Sequence, residues 1–259
     1  MDKPLVSFIV PCFNKADTLS QSIQSIRDQT ISNWEIILVD DNSSDYSQPI
    51  ASMLKEPRMQ RVFLPVNKGV VNAYREGVKR ALADYVIFHD ADDCSLPDRA
   101  EKCLKAIGDG DVLYHGIYLI AKHPDYPLVG RRYWKAKKWV PEKIYTEQYI
   151  PGIIFAKKSV LQKVVFPKEA EGAWDWMHHI LLHQMGAKYV PFDEGLYEYW
   201  RFVGNSLSHA NEMEGKRQAS MKWIQEYLVK NKLVPKGHKF GKGFRGFLGN
   251  KLEKTNKGV

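Results

Sequence analysis

The sequence is poor in cysteine and contains no long hydrophobic run. Only three cysteines, Cys12, Cys94 and Cys103, occur in 259 residues, and their odd number and spacing give no disulfide framework. A reducing, cytoplasmic location is therefore expected. No stretch reaches the ~20 apolar residues that a membrane-spanning helix needs, and the first residues lack the apolar segment of a signal peptide. We expect a protein that is soluble or attached to the cytoplasmic face of a membrane.

Most of the chain also lacks an excess of charge of either sign. The net charge of +8 arises in residues 230–259, which hold nine Lys or Arg and a single acid, Glu253. Residues 1–229 hold equal numbers of basic and acidic side chains. The basic character therefore belongs to the tail, and it does not indicate that the whole protein binds nucleic acid.

The basic tail, residues 230–259, places Phe240, Phe244 and Phe247 at helical intervals among its Lys and Arg residues. This composition is typical of segments that lie on an anionic membrane surface. The four glycines between residues 241 and 249 oppose a stable helix in water. A disordered tail is therefore the alternative, and RNA binding is a weaker third.

The first part of the chain alternates short apolar runs with stretches of helical spacing. The apolar runs predict strands at residues 5–10, 34–39, 61–64 and 85–88. Helical spacing follows Asp17 and returns over residues 70–83. Strands and helices in this order predict an α/β protein whose central sheet is mainly parallel and flanked by helices. In such a sheet, ligands bind at the carboxyl ends of the strands.

The pattern becomes less regular after a predicted helix at residues 98–107. We expect a mobile polar loop at residues 121–150, where basic and aromatic residues alternate. The other predicted elements are strands at 111–120, 153–155 and 188–202 and helices at 174–186 and 210–229.

Three carboxylates, Asp90, Asp92 and Asp93, follow the buried strand at residues 85–88. Such crowding is electrostatically unfavourable unless a cation or several hydrogen bonds compensate. Mn²⁺ or Mg²⁺ fits this ligand set, because both prefer carboxylate oxygens together with the phosphates of a substrate. Asp40 and Asp41 form a second acidic edge after the strand at 34–39, and there they can accept hydrogen bonds from a base or ribose.

Several segments resemble glycosyltransferase family 2, the inverting enzymes with the Rossmann-like GT-A fold. In chain order they are VSFIVPCFN (6–14), DQT (28–30), WEIILVDDNS (34–43), NKG (67–69), IFHDADD (87–93) and LPDR (96–99). The resemblance is specific over residues 4–105 and loose over 106–208. It implies one GT-A domain at residues 1–229, with a nucleotide-binding half (1–105) and an acceptor half (106–229), followed by the basic tail.

The resemblance also implies a nucleotide-sugar donor, and uracil is the first choice of base. Pro11 and Phe13 would line the base pocket together with the adjoining Asn14, and Asp41 would hydrogen-bond the base. Asp92 would bind ribose or metal.

Asp93 or Asp90 would complete the metal site that the resemblance implies. In the segment AYREG (73–77), the arginine is displaced by one residue from the family pattern. Lys68 or Arg75 would reach the diphosphate.

The second half departs from the family at the general base. An inverting transferase needs one base to deprotonate the acceptor hydroxyl, and the family often supplies it from a Glu-Asp pair that opens a helix. No such pair occurs in EAEGAWDWMH (169–178). Asp175 is the first choice of base and Glu171 the reserve. Val203 stands where the family often has histidine.

The resulting hypothesis is a metal-dependent inverting transferase that moves a sugar from a UDP-sugar to a glycan or lipid-linked acceptor. One alternative is a nucleotidyltransferase, although no glycine-rich phosphate loop follows the first strand, since residues 11–14 contain no glycine. The other is a non-catalytic nucleotide- or glycan-binding module of the same fold, which the missing Glu-Asp pair would explain.

Overall fold

The structure, a computed structural model, describes residues 3–123, 126–202 and 207–240. In its first half, strands alternate with helices as predicted. The strands are β1 (Val6–Cys12), β2 (Trp34–Asp40), β3 (Met59–Phe63) and β4 (Tyr85–Phe88). The helices are α1 (Ala16–Arg27), α2 (Ser47–Met53) and α3 (Val70–Arg80). The four strands lie in the order β3-β2-β1-β4, and all of them are parallel.

Strand β1 is the centre of this half, and all seven of its residues are buried. Successive side chains of a strand point to opposite faces of the sheet. Phe8 therefore belongs to the apolar cluster that includes Leu19 and Ile23 of α1. Ile9 belongs to the cluster that includes Ala73 and Val78 of α3. Cover on both faces is the reason why the strand reads as a continuous apolar run.

The second half adds five strands and four helices among the described residues. The strands are β5 (Cys94–Ser95), β6 (Val112–His123), β7 (Tyr126–Trp134), β8 (Phe155–Lys157) and β9 (Tyr189–Phe202). The helices are α4 (Arg99–Ala106), α5 (Lys158–Leu161), α6 (Trp174–Gln184) and α7 (Leu207–Lys230), with 3-10 helices at Pro141–Tyr145 and Lys168–Ala173.

The sheet continues from β4 in the order β8-β6-β9-β5, and β7 pairs with β6. Strand β8 is antiparallel to both of its neighbours, whereas β6 and β9 are parallel to each other. The described strands therefore form one mainly parallel sheet with helices packed against it, which confirms the predicted fold class.

The prediction of a loop at residues 121–150 is wrong for residues 121–123 and 126–134, which belong to strands. Strand β6 runs to His123, and β7 pairs with it in antiparallel register. Tyr133 packs on Tyr118 with ring centroids 5.3 Å apart, and the Arg131 guanidinium lies 3.9 Å from the centre of the Tyr118 ring. Cross-strand pairs of this kind stabilise a strand that is polar in composition.

The described part of the basic tail packs on the rest of the protein. Helix α7 ends at Lys230, and Val234 is buried. The Phe240 ring meets the Trp176 ring edge to face, at a centroid distance of 6.4 Å. Phe244 and Phe247, on which the membrane prediction depends, lie outside the described residues. No helix in the described part of the chain is both long enough and apolar enough to span a bilayer.

Candidate active site

The carboxyl ends of β1, β2 and β4 meet at one edge of the sheet because the three strands are parallel and adjacent. Residues after β1 contact the segments that follow the other two strands. The Asn14 main-chain N–H donates to Ser43 Oγ at 2.9 Å, and Asn14 Oδ1 accepts from the Ser44 N–H at 2.9 Å. Lys15 forms an ion pair with Asp92. The residues that follow β1, β2 and β4 therefore meet at one edge of the sheet.

Three carboxylates form a compact group at this edge. One oxygen from each of Asp90, Asp92 and Asp93 lies within 4.8 Å of the others. Asp93 is buried, and its Oδ1 accepts from the Trp200 main-chain N–H at 2.8 Å. Its Oδ2 has no hydrogen-bond partner within the described residues. Burial, followed by the charges of Asp92 and Asp90, raises the Asp93 pKa well above its ordinary value.

Two tyrosines hold Asp90, one at its carboxylate and one at its main chain. The Tyr74 hydroxyl donates to Asp90 Oδ1 at 2.7 Å, and the Asp90 main-chain N–H donates to the Tyr197 hydroxyl at 2.9 Å. Tyr74 belongs to α3 and Tyr197 to β9, so elements from both halves of the chain fix the acidic group. Neither tyrosine was predicted as a site residue from the sequence.

Lys15 is a further cation at the acidic group that the sequence analysis missed. Although burial lowers the pKa of its ammonium, the charge and hydrogen bond of Asp92 raise that pKa above the ordinary value. Its position directly after Asn14, at the end of β1, is the signal that could have identified it. The charge of Asp92 is thus already paired by the protein itself.

A buried arginine lies beneath the acids. Arg99 is 0% exposed, and its guanidinium donates to Phe88 O, Ser95 Oγ and His115 Nε2, each at 3.0 Å. It also stacks over the Tyr197 ring, 4.5 Å from the ring centre. Within the described residues no carboxylate forms an ion pair with it. Its positive charge is therefore buried without a direct ionic partner among the described residues, although the charge of Asp90 acts on its pKa against the larger effect of burial.

Asp41 is buried at the end of β2, and the loop before α3 binds both of its carboxylate oxygens. The main-chain N–H groups of Lys68 and Gly69 donate to Asp41 Oδ1 and Oδ2 at 2.8 and 2.7 Å. A carboxylate has about four lone-pair sites, so each oxygen keeps capacity for a ligand. The predicted contact of Asp41 with a base stays a prediction.

Glu171 lies beside the same loop. A Cβ atom at Gly69, whose φ is +86°, would fall 1.3 Å from Glu171 Oε1. That oxygen is buried and has no hydrogen-bond partner among the described residues. Burial, followed by the charge of Asp41, raises the Glu171 pKa. The positive φ favours glycine at position 69, whereas the Glu171 side chain is flexible enough to move away from an added Cβ.

Both carboxylate oxygens of Asp175, the first choice of general base, accept hydrogen bonds. Its Oδ2 accepts from the buried Gln148 amide, and its Oδ1 accepts from the Trp176 main-chain N–H at 3.0 Å. It lies in the first turn of α6. No described contact joins Asp175 to the acidic group.

The other residues that were predicted to bind the nucleotide-sugar donor lie at β1 and beside α3. Pro11 is buried in β1 opposite Val39, and Phe13, which follows β1, is 38% exposed. Lys68 and Arg75 line a cavity of about 520 Å³ beside α3. Neither Lys68 nor Arg75 contacts the acidic group through a described hydrogen bond or ion pair. The roles of these four residues toward a donor stay predictions.

Comparison with known proteins agrees with this geometry. Residues 7–166 match the profile "Glycosyl transferase family 2". A glycosyltransferase of Haemophilus influenzae is 37% identical over 121 residues, 46% of this chain and 48% of the relative. The Escherichia coli UDP-Glc:alpha-D-GlcNAc-diphosphoundecaprenol beta-1,3-glucosyltransferase WfgD is 27% identical over 144 residues, 56% of this chain and 54% of that protein. The chain thus spans about half the length of the curated relatives it matches.

Two groups of solved structures share the fold. S. aureus TarS 1-349 in complex with UDP-GlcNAc has a TM-score of 0.63 at 19% identity, covering 86% of this chain and 66% of TarS 1-349. The Pyrobaculum calidifontis mannosyltransferase PcManGT in complex with GDP-Man and Mn2+ has a TM-score of 0.62 at 16% identity, covering 95% of this chain and 67% of PcManGT. Since the family profile covers more than half of the sequence, the chain belongs to glycosyl transferase family 2.

Proposed function

We propose that the protein is an inverting glycosyltransferase that moves a sugar from a UDP-sugar to a glycan or lipid-linked acceptor. The observation that carries this proposal is the acidic group at the end of β4, where Asp93 keeps a buried oxygen without a partner. A UDP-sugar is supported by TarS, whose structure contains UDP-GlcNAc. A lipid-linked acceptor is supported by WfgD, whose name includes a diphosphoundecaprenol-linked sugar as a substrate.

The acidic group fits a divalent cation in chemistry and in spacing. Asp90, Asp92 and Asp93 offer one oxygen each within 4.8 Å, and hard oxygen ligands of this kind are those that Mn²⁺ and Mg²⁺ prefer. The unpartnered Asp93 oxygen has a physical explanation if a cation is its missing partner. A bound ion would neutralise the negative charge that develops on the leaving diphosphate.

A cation of the protein itself, Lys15, adds to the proposed donor site. When a metal ion shares the charge of Asp92, the Lys15 ammonium is available to pair with a donor phosphate. Asp41 accepts from the base, while Pro11, Phe13 and Asn14 border the same edge. An aromatic side chain that is partly exposed, such as Phe13, can stack on a base.

For the general base we favour Glu171 over Asp175. A base must accept a proton from the acceptor hydroxyl, and a raised pKa suits that task near neutral pH. Glu171 has a raised pKa and an unpartnered buried oxygen. The Asp175 oxygens are already bonded to Gln148 and to the N-terminus of α6, an arrangement suited to fixing the helix.

Association with an anionic membrane surface is part of the proposal. It depends on the basic residues of 241–259, because the part of the tail before them packs on the protein through Val234 and Phe240. Basic residues near such a surface contribute ~1 kcal/mol each, and a lipid-linked acceptor lies at that surface.

Analysis of the released nucleotide tests the proposed reaction. The protein is incubated with UDP-glucose or UDP-N-acetylglucosamine, Mn²⁺ and a panel of sugar-diphosphate lipids, with Asp92→Ala as control. Release of UDP, lost in the control, is the expected result. Release of the sugar 1-phosphate, which leaves when the UMP group is transferred, would indicate a nucleotidyltransferase, and UDP binding without turnover would indicate a non-catalytic module.

A further inference from the structure

A cavity of about 520 Å³ lies beside α3, separate from the three acids. Its volume falls within the range of small-molecule sites, about 300–1,000 Å³. Tyr74 lines this cavity and also donates its hydroxyl to Asp90. The cavity and the acidic group therefore share a wall, although neither Asp92 nor Asp93 lines the cavity.

Aromatic rings form much of the inner wall. The Trp174 ring lies 4.9 Å from the Tyr74 ring and 6.3 Å from the Phe88 ring, measured between centroids. All three residues line the cavity. Tyr74 and Phe88 are buried, whereas Trp174 is partly exposed. The Trp174 ring therefore offers an apolar face against which the C–H side of a sugar ring can pack.

One polar group on this wall has no partner. His178 lines the cavity, is 7% exposed and stacks on Phe88 at a centroid distance of 5.7 Å. Its Nδ1 forms no hydrogen bond with any described residue. Burial, followed by the neighbouring His179, lowers the His178 pKa to about 3, so the imidazole is neutral. A neutral imidazole nitrogen can donate to or accept from a sugar hydroxyl.

Three exposed cations also line the cavity. They are Lys68, Arg75 and Lys79, and within the described residues no carboxylate forms an ion pair with any of them. The acid that lines the cavity, Glu76, is paired with Arg80. Beside Arg80, whose hydrogen bond has the largest effect, Lys79 and Lys68 also lie close enough for their charges to lower the Glu76 pKa. Three cations against this single acid still leave a positive border that favours an anionic ligand group, and Arg and Lys both bind phosphate.

We propose that this cavity binds a glycosyl phosphate, a sugar that carries a phosphate on its anomeric carbon. The ring packs against Trp174, a hydroxyl meets His178, and the phosphate lies between Lys68 and Arg75. The inference rests on the proposed function in one respect, since it makes this ligand the phosphate-linked end of the acceptor. It assigns Lys68 and Arg75 to the acceptor phosphate instead of the donor diphosphate.

Calorimetric titration of the full chain tests the assignment. The probes are glucose 1-phosphate and N-acetylglucosamine 1-phosphate, each with and without saturating UDP and Mn²⁺. At least one should bind, with and without UDP, and the free sugars and inorganic phosphate should bind at least ~10-fold more weakly. Competition by UDP would overturn the proposal, because the cavity would then belong to the donor. Absence of binding by both probes would also overturn it.

Two variants locate the binding site. Arg75→Glu should weaken binding by ~10-fold or more, whereas the matched control Lys55→Glu, an exposed lysine outside the cavity lining, should not. His178→Phe keeps an aromatic ring beside Phe88 and should weaken binding of the sugar phosphate without lowering Tm. An Arg75→Glu protein that binds like the Lys55→Glu control would contradict the assignment.

The same titrations separate this inference from the proposed function. A chain that binds a sugar phosphate but no UDP would contradict the transferase proposal and leave the cavity assignment standing. A chain that binds UDP with metal but neither sugar phosphate would contradict the cavity assignment alone.

Discussion

Glu171 and Asp175 are four residues apart, yet their surroundings differ in every respect that matters for proton transfer. Glu171 keeps a buried oxygen without a partner, and burial with the nearby Asp41 raises its pKa. Asp175 accepts from Gln148 and from its own helix. Their order along the chain could not reveal this difference, because it depends on where the distant loop at Gly69 lies.

Replacing Glu171 should therefore affect catalysis more than replacing Asp175. Glu171→Gln should lower kcat by ~10²–10⁴-fold, the range that general-base catalysis supplies. Asp175→Asn should change it much less. Steady-state kinetics on the two variants decides between them, and a larger loss in Asp175→Asn would reverse our assignment.

Glu171 also predicts a pH dependence of stability. The Glu171 pKa is raised in the folded state. Between the ordinary pKa of the unfolded chain and the raised pKa of the folded protein, the folded protein therefore binds more protons than the unfolded chain. The free energy of unfolding falls as the pH rises through this range. Glu171→Gln should therefore raise the free energy of unfolding near neutral pH, by about a few tenths of a kcal/mol because solvent screens this partly exposed carboxyl. The gain should shrink toward pH ~4. Urea unfolding of both proteins at the two pH values measures it, and a loss at neutral pH would contradict the raised pKa.

At the scale of elements, strands β1, β2 and β4 were predicted from apolar runs because both faces of each strand are covered. Helix α2 was missed because only Ser47 and Ala51 of its seven residues are buried, which leaves no apolar stripe. Strand β7 was missed because its stability comes from cross-strand contacts such as Tyr118–Tyr133. The acidic group was predicted from one strand end, whereas the tyrosines that hold Asp90 come from α3 and β9.

Helix α4 contributes the buried guanidinium beneath the acids. Arg99→Met removes the donor to Phe88 O, Ser95 Oγ and His115 Nε2 together. Ser95 Oγ keeps its hydrogen bond with His89 Nδ1, and each buried acceptor that is left without a partner costs ~1–3 kcal/mol. We expect a loss of at least ~3 kcal/mol in the free energy of unfolding. Denaturant titration in EDTA measures it.

Arg99→Lys serves as the matched control for charge. A single ammonium cannot reproduce the three directed bonds, so most of the loss should remain in this variant. Stability equal to that of the unaltered protein in both variants would show that the buried network is dispensable.

At the scale of the whole molecule, charge is segregated between a balanced domain and a basic end. Removal of residues 241–259 keeps Val234 and Phe240 in their packed positions and should leave Tm unchanged. Because this segment holds five Lys or Arg, its loss should weaken binding to vesicles rich in anionic lipid by at least ~10-fold. Vesicle sedimentation at two salt concentrations measures this, and unchanged affinity would contradict a membrane role.

The central claim is that the acids at the end of β4 hold a divalent cation that carries a nucleotide diphosphate. Calorimetric titration of UDP, GDP and dTDP, with Mn²⁺ and again with EDTA, tests it most directly. We predict metal-dependent binding with UDP preferred, lost in Asp92→Ala. Binding of none of the three under either condition would mean that the acidic group has a structural role, and the transferase account would be wrong.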